Sequence, residues 1–135
     1  MRNQILASFA SSALLASCAT ASQTSPSGLE ELLQQTKFVR TACYTGVDTP
    51  EDLRPLTDAV NSAIRDVSNL AKPRDPDRVK KRLQTLIGEV DQFATEDREE
   101  SYRYAIRIWR ASGFKGESGL FSKKDADVLA EMPGC

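Results

Sequence analysis

Histidine is absent from the 135 residues of this chain. Because histidine is the commonest general base at neutral pH and the commonest metal ligand, its absence removes the Ser-His and Cys-His pairs used by hydrolases. A zinc site would need carboxylates almost alone, whereas zinc sites are usually built from cysteine and histidine. We therefore expect that the protein is not an enzyme and that it has no catalytic residues, no metal site and no cofactor.

An excess of one charge is also lacking. The chain carries 18 Lys and Arg residues against 19 Asp and Glu residues, which gives a net charge of −1. A nearly balanced surface gives no reason to expect a nucleic-acid partner. The densest basic run, from Lys72 to Arg82, fits either contact with anionic lipid head groups or an ordinary solvated helix face. We favour the solvated face because Asp75 and Asp77 dilute the basic charge.

Strand patterns are missing as well, because β-branched residues nowhere alternate with polar residues between turns. Apolar residues instead recur at three- and four-residue spacing, which is typical of helices. We predict an all-α fold, a bundle of four helices with a short fifth helix near the carboxy terminus.

Capping residues and prolines predict where these helices begin. The first helix should run roughly from 28 to 45, behind a capping box formed by Ser27 and Glu30. In the second helix, Pro55 either kinks the first turns or moves the start toward Leu53. The expected start signals of the second to fifth helices are Thr49-Pro50, Asp75-Pro76, Thr95 and Ser122.

The amino-terminal stretch has the composition of an export signal. Arg2 precedes an apolar run from Ile5 to Leu15, which is about half of the ~20 residues that a membrane-spanning helix needs. The run ends on Leu15-Ala16-Ser17-Cys18, which resembles the lipobox of bacterial lipoproteins. The resemblance implies cleavage before Cys18 and a diacylglycerol on the Cys18 sulfur. The alternative is an ordinary secretory signal with a cysteine there by chance.

The lipobox-like sequence divides the chain into three parts. Residues 1–17 are the expected signal peptide, residues 18–28 are the lipidated Cys18 with a flexible polar tether, and residues 29–135 are the helical domain. Ala19, rather than an aspartate, follows the lipid-bearing cysteine. By resemblance to lipoprotein sorting, this implies an outer-membrane protein that is anchored by the lipid and faces the periplasm.

The chain contains three cysteines. With Cys18 taken by lipid, Cys43 and Cys135 form an even pair in an oxidising compartment, where disulfides persist. We predict a disulfide between Cys43 and Cys135, which on the chain-entropy model would stabilise the fold by about 4–5 kcal/mol. The alternative is two free thiols.

The fourth predicted helix is apolar on more than one side. Besides the core face, Tyr104 and Ile108 form a pair four residues apart, and Arg107 lies beside them. Aromatic and arginine side chains are frequent anchors in protein interfaces. Either the short last helix covers this pair, or the pair lines a groove that accepts an amphipathic helix of a partner protein.

The opening of the domain resembles the pilotin lipoproteins of type II secretion. The residues that carry this resemblance are Leu29-Glu30-Glu31-Leu32-Leu33, Lys37-Phe38-Val39-Arg40, Cys43 and Asp48-Thr49-Pro50-Glu51-Asp52-Leu53. The resemblance implies a small helical bundle with a lipid anchor and one disulfide. It also implies that the domain binds the carboxy-terminal helix of a secretin and carries the secretin to the outer membrane.

Two functions are therefore expected from the sequence. The first is a non-enzymatic binding lipoprotein that acts as a pilotin or assembly factor for a secretion system. The alternative is a periplasmic immunity or inhibitor lipoprotein that neutralises a toxin or hydrolase directed at the cell envelope.

Overall fold

A computed structural model describes residues 27–130 of the chain. Every regular element within these residues is helical, so the predicted all-α class is confirmed. Not one of the described helices is long and apolar enough to cross a membrane. The expected signal peptide, Cys18 and Cys135 lie outside the described residues. The helices are α1 (Gly28–Gln34), α2 (Leu53–Ser68), α3 (Pro76–Glu89), α4 (Thr95–Ala111) and α5 (Asp125–Leu129).

The first helix is much shorter than predicted, since it ends at Gln34 rather than near residue 45. Just beyond it, the Lys37 ammonium group donates to three carbonyl oxygens at the end of α1, at distances of 2.6, 2.8 and 3.3 Å. These bonds satisfy acceptors that a helix end leaves unpaired. Phe38 then adopts a left-handed backbone conformation with φ of 55°. Residues 35–49, called the strap below, therefore leave the helix and lie against α4.

The second helix follows the sequence closely. A 3₁₀ turn, Pro50–Asp52, leads into α2, which begins at Leu53. Of the two alternatives for Pro55, the later helix start is correct, because Pro55 lies in the first turn, where its nitrogen needs no helical partner. The apolar stripe beyond it is buried, as the spacing predicted: Leu56, Val60, Ala63, Ile64 and Val67.

The starts of α3 and α4 agree with the sequence to within one residue. Asp75 caps α3, and its Oδ1 accepts a hydrogen bond from the Asp77 amide at 2.9 Å, with Pro76 as the first helical residue. For α4 the predicted cap was wrong, because Ala94 holds the cap position and Thr95 is the first residue of the helix.

The start of α5 is set by distant residues rather than by the predicted capping box. Lys124, not Ser122, holds the cap position. The Glu117 carboxylate accepts a hydrogen bond from the Asp125 amide at 2.8 Å. The buried Asp125 carboxylate in turn accepts from the amide and the hydroxyl of Ser118, at 2.8 and 2.6 Å. Residues of the loop before α5 thus bind the Asp125 amide at the start of the helix, a role that a capping side chain next to the helix usually has.

The described helices pack around α2, which contacts α1, α3 and α4, whereas α5 contacts α4 alone among them. Two aromatic pairs attach the loop before α5 to α4. The Trp109 ring lies 4.2 Å from Phe114, and the Tyr102 ring lies 5.0 Å from Phe121. Trp109 Nε1 also donates to the Gly116 carbonyl at 3.0 Å. This loop therefore contacts α4 at Tyr102 and Trp109, whereas the strap contacts the same helix at Asp97 and Tyr104.

Candidate functional site

The face of α4 predicted to bind a partner is buried in this structure. Tyr104 is 6% exposed and Ile108 is fully buried. The Phe38 ring of the strap lies 5.4 Å from the Tyr104 ring, and the Phe38 amide donates to the Tyr104 hydroxyl at 3.3 Å. Both side chains are therefore covered, and for Tyr104 the strap provides the cover. Neither side chain is available to a partner protein in this conformation.

Arg107 lies at the edge of this covered face. Its guanidinium group is 5.0 Å from the centre of the Tyr104 ring, a cation–π geometry. Its Nη1 is 3.6 Å from a carboxylate oxygen of Glu100, and the same carboxylate accepts a 2.9 Å bond from Arg103. The three predicted partner-binding residues do lie together, but they form part of the core and its rim rather than an open groove.

A second buried contact holds the strap on α4. The Tyr44 hydroxyl donates to Oδ1 of Asp97 at 2.7 Å, and the Asp48 amide donates to Oδ2 at 3.2 Å. Asp97 lies in the first turn of α4 and is fully buried. Burial, followed by the hydrogen bond to Asp97, raises the pKa of Tyr44 well above its usual value. The helix dipole favours an acid in the first turn whether or not it has a partner, so no pattern in the sequence indicated that Asp97 would receive the strap.

The buried ionisable groups of the described residues have roles in the fold. Burial, and secondarily the nearby Arg65 charge, lowers the pKa of Lys37, whose three donors are all taken by carbonyl oxygens. Asp97 and Asp125 accept hydrogen bonds from groups of the same chain. Between residues 27 and 130, no cluster of acids and cysteines is placed to hold a metal ion.

An open cleft between α2 and α3 is the other candidate site. Its volume is about 430 Å³. We call it the basic cleft, because three of its six lining residues are cationic. The lining residues are Asp66, Leu70, Arg78, Lys81, Arg82 and Thr85.

Arg82 is the part of the basic cleft that is fixed by other residues. Its Nε donates to Oδ2 of Asp66 at 2.6 Å, and Nη2 reaches the Ser62 hydroxyl at 3.5 Å. The Arg82 side chain is 16% exposed, and its Nη1 lies 3.7 Å from Glu89 with no hydrogen-bond partner. Arg82 is therefore oriented at the cleft with one donor still unsatisfied.

The basic run of the sequence does not form one uniform solvated face. Arg78, Lys81 and Arg82 share the cleft, as their spacing of three and four residues along α3 requires. Arg74, in contrast, turns back and donates to the Val67 carbonyl at 3.0 Å. The exposed Arg78 and Lys81 fit the interpretation of the run as a solvated helix face, which did not distinguish them from Arg74. The helical spacing of these cations beside Thr85 was the signal that could have revealed this difference.

Only one of the three cysteines lies within the described residues. Cys43 is half-buried in the strap and is not a free thiol. Cys18 and Cys135 lie outside residues 27–130, so the pairing of Cys43 with Cys135 stays a prediction.

Comparison with known proteins places the chain in a family. The sequence profile of DUF4844, a domain of unknown function, matches residues 19–123. The match includes α1 to α4, the strap and most of the loop that precedes α5. Neither the curated proteins nor the solved structures contain a match. Since the matched residues make up most of its length, the chain belongs to the DUF4844 family.

Proposed function

We propose that the chain is a non-enzymatic lipoprotein of the outer membrane that binds a partner protein. Its role would be that of a pilotin or assembly factor, which guides a secretin to that membrane. The observation that carries the proposal is the sequence Leu15-Ala16-Ser17-Cys18, which ends an export-like signal and precedes a polar tether and a helical domain. Acyl chains on Cys18 would hold the domain at the membrane, and the tether would let it reorient.

The described domain supports binding rather than turnover of a substrate. Five polar residues of the described domain are buried, and each forms hydrogen bonds within the chain that serve the fold: Lys37, Asp97, Ser101, Ser118 and Asp125. The basic cleft, in contrast, is open and keeps cations at its surface. A domain with a fixed interior and an open charged cleft is suited to recognition of another molecule.

The choice of a secretin as partner comes from the pilotin resemblance. Two of the stretches that carry it, Leu29–Leu33 and Lys37–Arg40, form α1 and the first part of the strap. In this chain Lys37 binds the end of α1, and Phe38 contacts Tyr104 of α4. The resemblance therefore concerns the way the domain is built, and the carboxy-terminal helix of a secretin is the partner that it implies.

Replacing the lipid-bearing cysteine tests this proposal. In a strain that expresses Cys18→Ser, the chain should lose its lipid, and secretin multimers should fall sharply in the outer membrane. Ala19→Asp is the matched variant, because it keeps the lipid and by the sorting rule redirects the protein to the inner membrane. Membrane fractionation and immunoblotting of the secretin measure the effect, and labelling with palmitate checks lipidation.

Normal secretin assembly in both variants would overturn the pilotin proposal. If the same cells instead became sensitive to an envelope-directed toxin, the immunity function would be supported. If the wild-type chain does not incorporate labelled palmitate, the proposal that Cys18 carries a lipid anchor is wrong.

We also propose the disulfide between Cys43 and Cys135 as part of the folded domain. Cys43 lies in the strap, and α5 ends at Leu129, close in sequence to Cys135. A bond between these cysteines would join the strap to the end of the chain and restrain both.

A further inference from the structure

The basic cleft draws its cations from the basic run of the chain. Residues 72–82 include six basic and two acidic side chains, whereas the whole chain has a net charge of −1. Three of these cations line the cleft, namely Arg78, Lys81 and Arg82. Cations in a concave surface attract anionic groups and steer their approach.

The cations of the basic cleft are not all neutralised by the chain itself. Arg82 forms ion pairs with Asp66 at 2.6 Å and with Glu89 at 3.7 Å. Arg78 and Lys81 are exposed, and neither forms an ion pair with another residue of the described range. Two cations beside the oriented Arg82 are therefore available to an incoming carboxylate.

The cleft also offers apolar contact. Leu70 is partly buried just beyond the end of α2 and packs against the core. An apolar side chain that enters the cleft can therefore bury part of its surface against Leu70.

We propose that the basic cleft docks an acidic amphipathic segment of a partner protein. Carboxylates of the segment would pair with Arg78 and Lys81, and an apolar side chain would contact Leu70. The occupant is a peptide segment rather than a bilayer, because a protruding ridge of side chains fits a cleft between two helices, whereas a flat lipid surface meets only its rim. The inference rests on the proposed function as a partner-binding protein and names the surface that performs it.

A binding assay with a defined peptide tests the inference. The full-length chain in mild detergent is titrated into a labelled synthetic helix that carries Glu and Leu on one face at four-residue spacing. The same helix with Lys in place of Glu is the control peptide. We expect the acidic peptide to bind, the Lys peptide to bind at least about tenfold more weakly, and the affinity to fall as salt rises.

Matched variants locate the site. Arg78→Glu with Lys81→Glu should weaken binding of the acidic peptide by about tenfold or more. Lys123→Glu with Lys124→Glu changes the net charge equally at exposed residues beside α5, and should change binding little. Circular dichroism checks that each variant keeps its helices. Should the double Glu variant lose them, Arg78→Gln with Lys81→Gln replaces it.

Three results would overturn the inference: no binding of the acidic peptide, equal binding of both peptides, or equal loss in both pairs of variants. Vesicles of phosphatidylglycerol form a further arm. Vesicle binding that depends on Arg78 and Lys81, with no peptide binding, would assign the cleft to the membrane and refute a protein segment. If the acidic peptide does not bind but Cys18→Ser still abolishes secretin assembly, the proposed function stands. Only the assignment of the basic cleft as the binding surface is then wrong.

Discussion

Tyr44 and Tyr104 are the residues through which the strap meets α4. The Tyr44 hydroxyl donates to Asp97, and the Tyr104 hydroxyl accepts from the Phe38 amide. The Phe38 ring lies 6.4 Å from Tyr44 and 5.4 Å from Tyr104. Aromatic packing and two hydrogen bonds thus hold Phe38 in its left-handed conformation, which a bulky side chain adopts only where its surroundings determine it.

These contacts predict how the tyrosines titrate. Burial raises the pKa of both Tyr44 and Tyr104 above the ordinary value of 10.0, and for Tyr44 the hydrogen bond to Asp97 adds to the shift. A raised folded-state pKa means that this stabilisation is complete below about pH 10 and declines as pH rises above it, because the unfolded chain then ionises first. We therefore expect both residues to ionise only as the protein unfolds in alkali.

An alkaline titration followed by ultraviolet absorbance and circular dichroism measures this coupling. The tyrosinate signal of two of the three tyrosines should rise together with the loss of helix. Tyr44→Phe should remove part of the coupled signal. Ionisation of all three tyrosines while the helices remain intact would contradict the buried geometry.

Among the elements, the strap has two of its polar contacts with α4 on one buried carboxylate, that of Asp97. Asp97→Asn keeps one acceptor oxygen for the Asp48 amide but places an amide donor opposite Tyr44, so the Tyr44 hydroxyl loses its charged acceptor and can only accept a weaker neutral bond. We expect the free energy of unfolding to fall by about 1–3 kcal/mol. Denaturant unfolding measures the change.

Glu96→Gln is the matched control for Asp97→Asn. Glu96 is also an acid in the first turn of α4, but it is exposed and accepts one bond from the Thr45 hydroxyl at 3.0 Å. Both substitutions remove the same favourable interaction with the helix dipole, which contributes about 0.3–1 kcal/mol. Equal effects of the two substitutions would show that the strap does not depend on the buried carboxylate.

Local signals predicted the elements that depend on local chemistry. The apolar stripes of α2 and α3 and the Asp75 cap follow from helical spacing and capping, so they were available from the sequence. The length of α1 was not, because the helical spacing of Val39 and Cys43 continues beyond the point where Lys37 binds the helix end. Tertiary contacts outweighed periodicity there, as they did where Glu117 set the start of α5.

The candidate sites, too, could be predicted from the sequence only where the signal lies within one helix. That Tyr104 and Ile108 belong together was visible from their spacing, but the strap that covers Tyr104 was not, since residues 35–49 were predicted as largely helical. The basic cleft needs both α2 and α3, and only the α3 side has a sequence signal. Residues that share one face of a helix can therefore be predicted from the sequence. The segment that covers such a face, or the second helix that completes a cleft, depends on tertiary packing.

For the molecule as a whole, α5 is the described α-helix with the fewest neighbours. It contacts α4 alone among the described helices, whereas the strap places Phe38 and Tyr44 in the core. A segment with few buried contacts opens more readily than the core. A bond between Cys43 and Cys135 would join the strap to the end of the chain and close most of the domain into one loop.

The disulfide gives a prediction at this scale. Proteolysis of the unreduced full-length chain, followed by mass spectrometry, should yield one linked peptide pair that contains Cys43 and Cys135. Cys135→Ser should lower the free energy of unfolding by about 4 kcal/mol, because the long loop would no longer restrain the unfolded chain. In Cys18→Ser the Cys43–Cys135 disulfide should persist. The reason is that Cys18 of the wild-type chain carries lipid and takes no part in a disulfide. A Cys18–Cys43 peptide in the wild-type chain would contradict both the pairing and the lipid anchor.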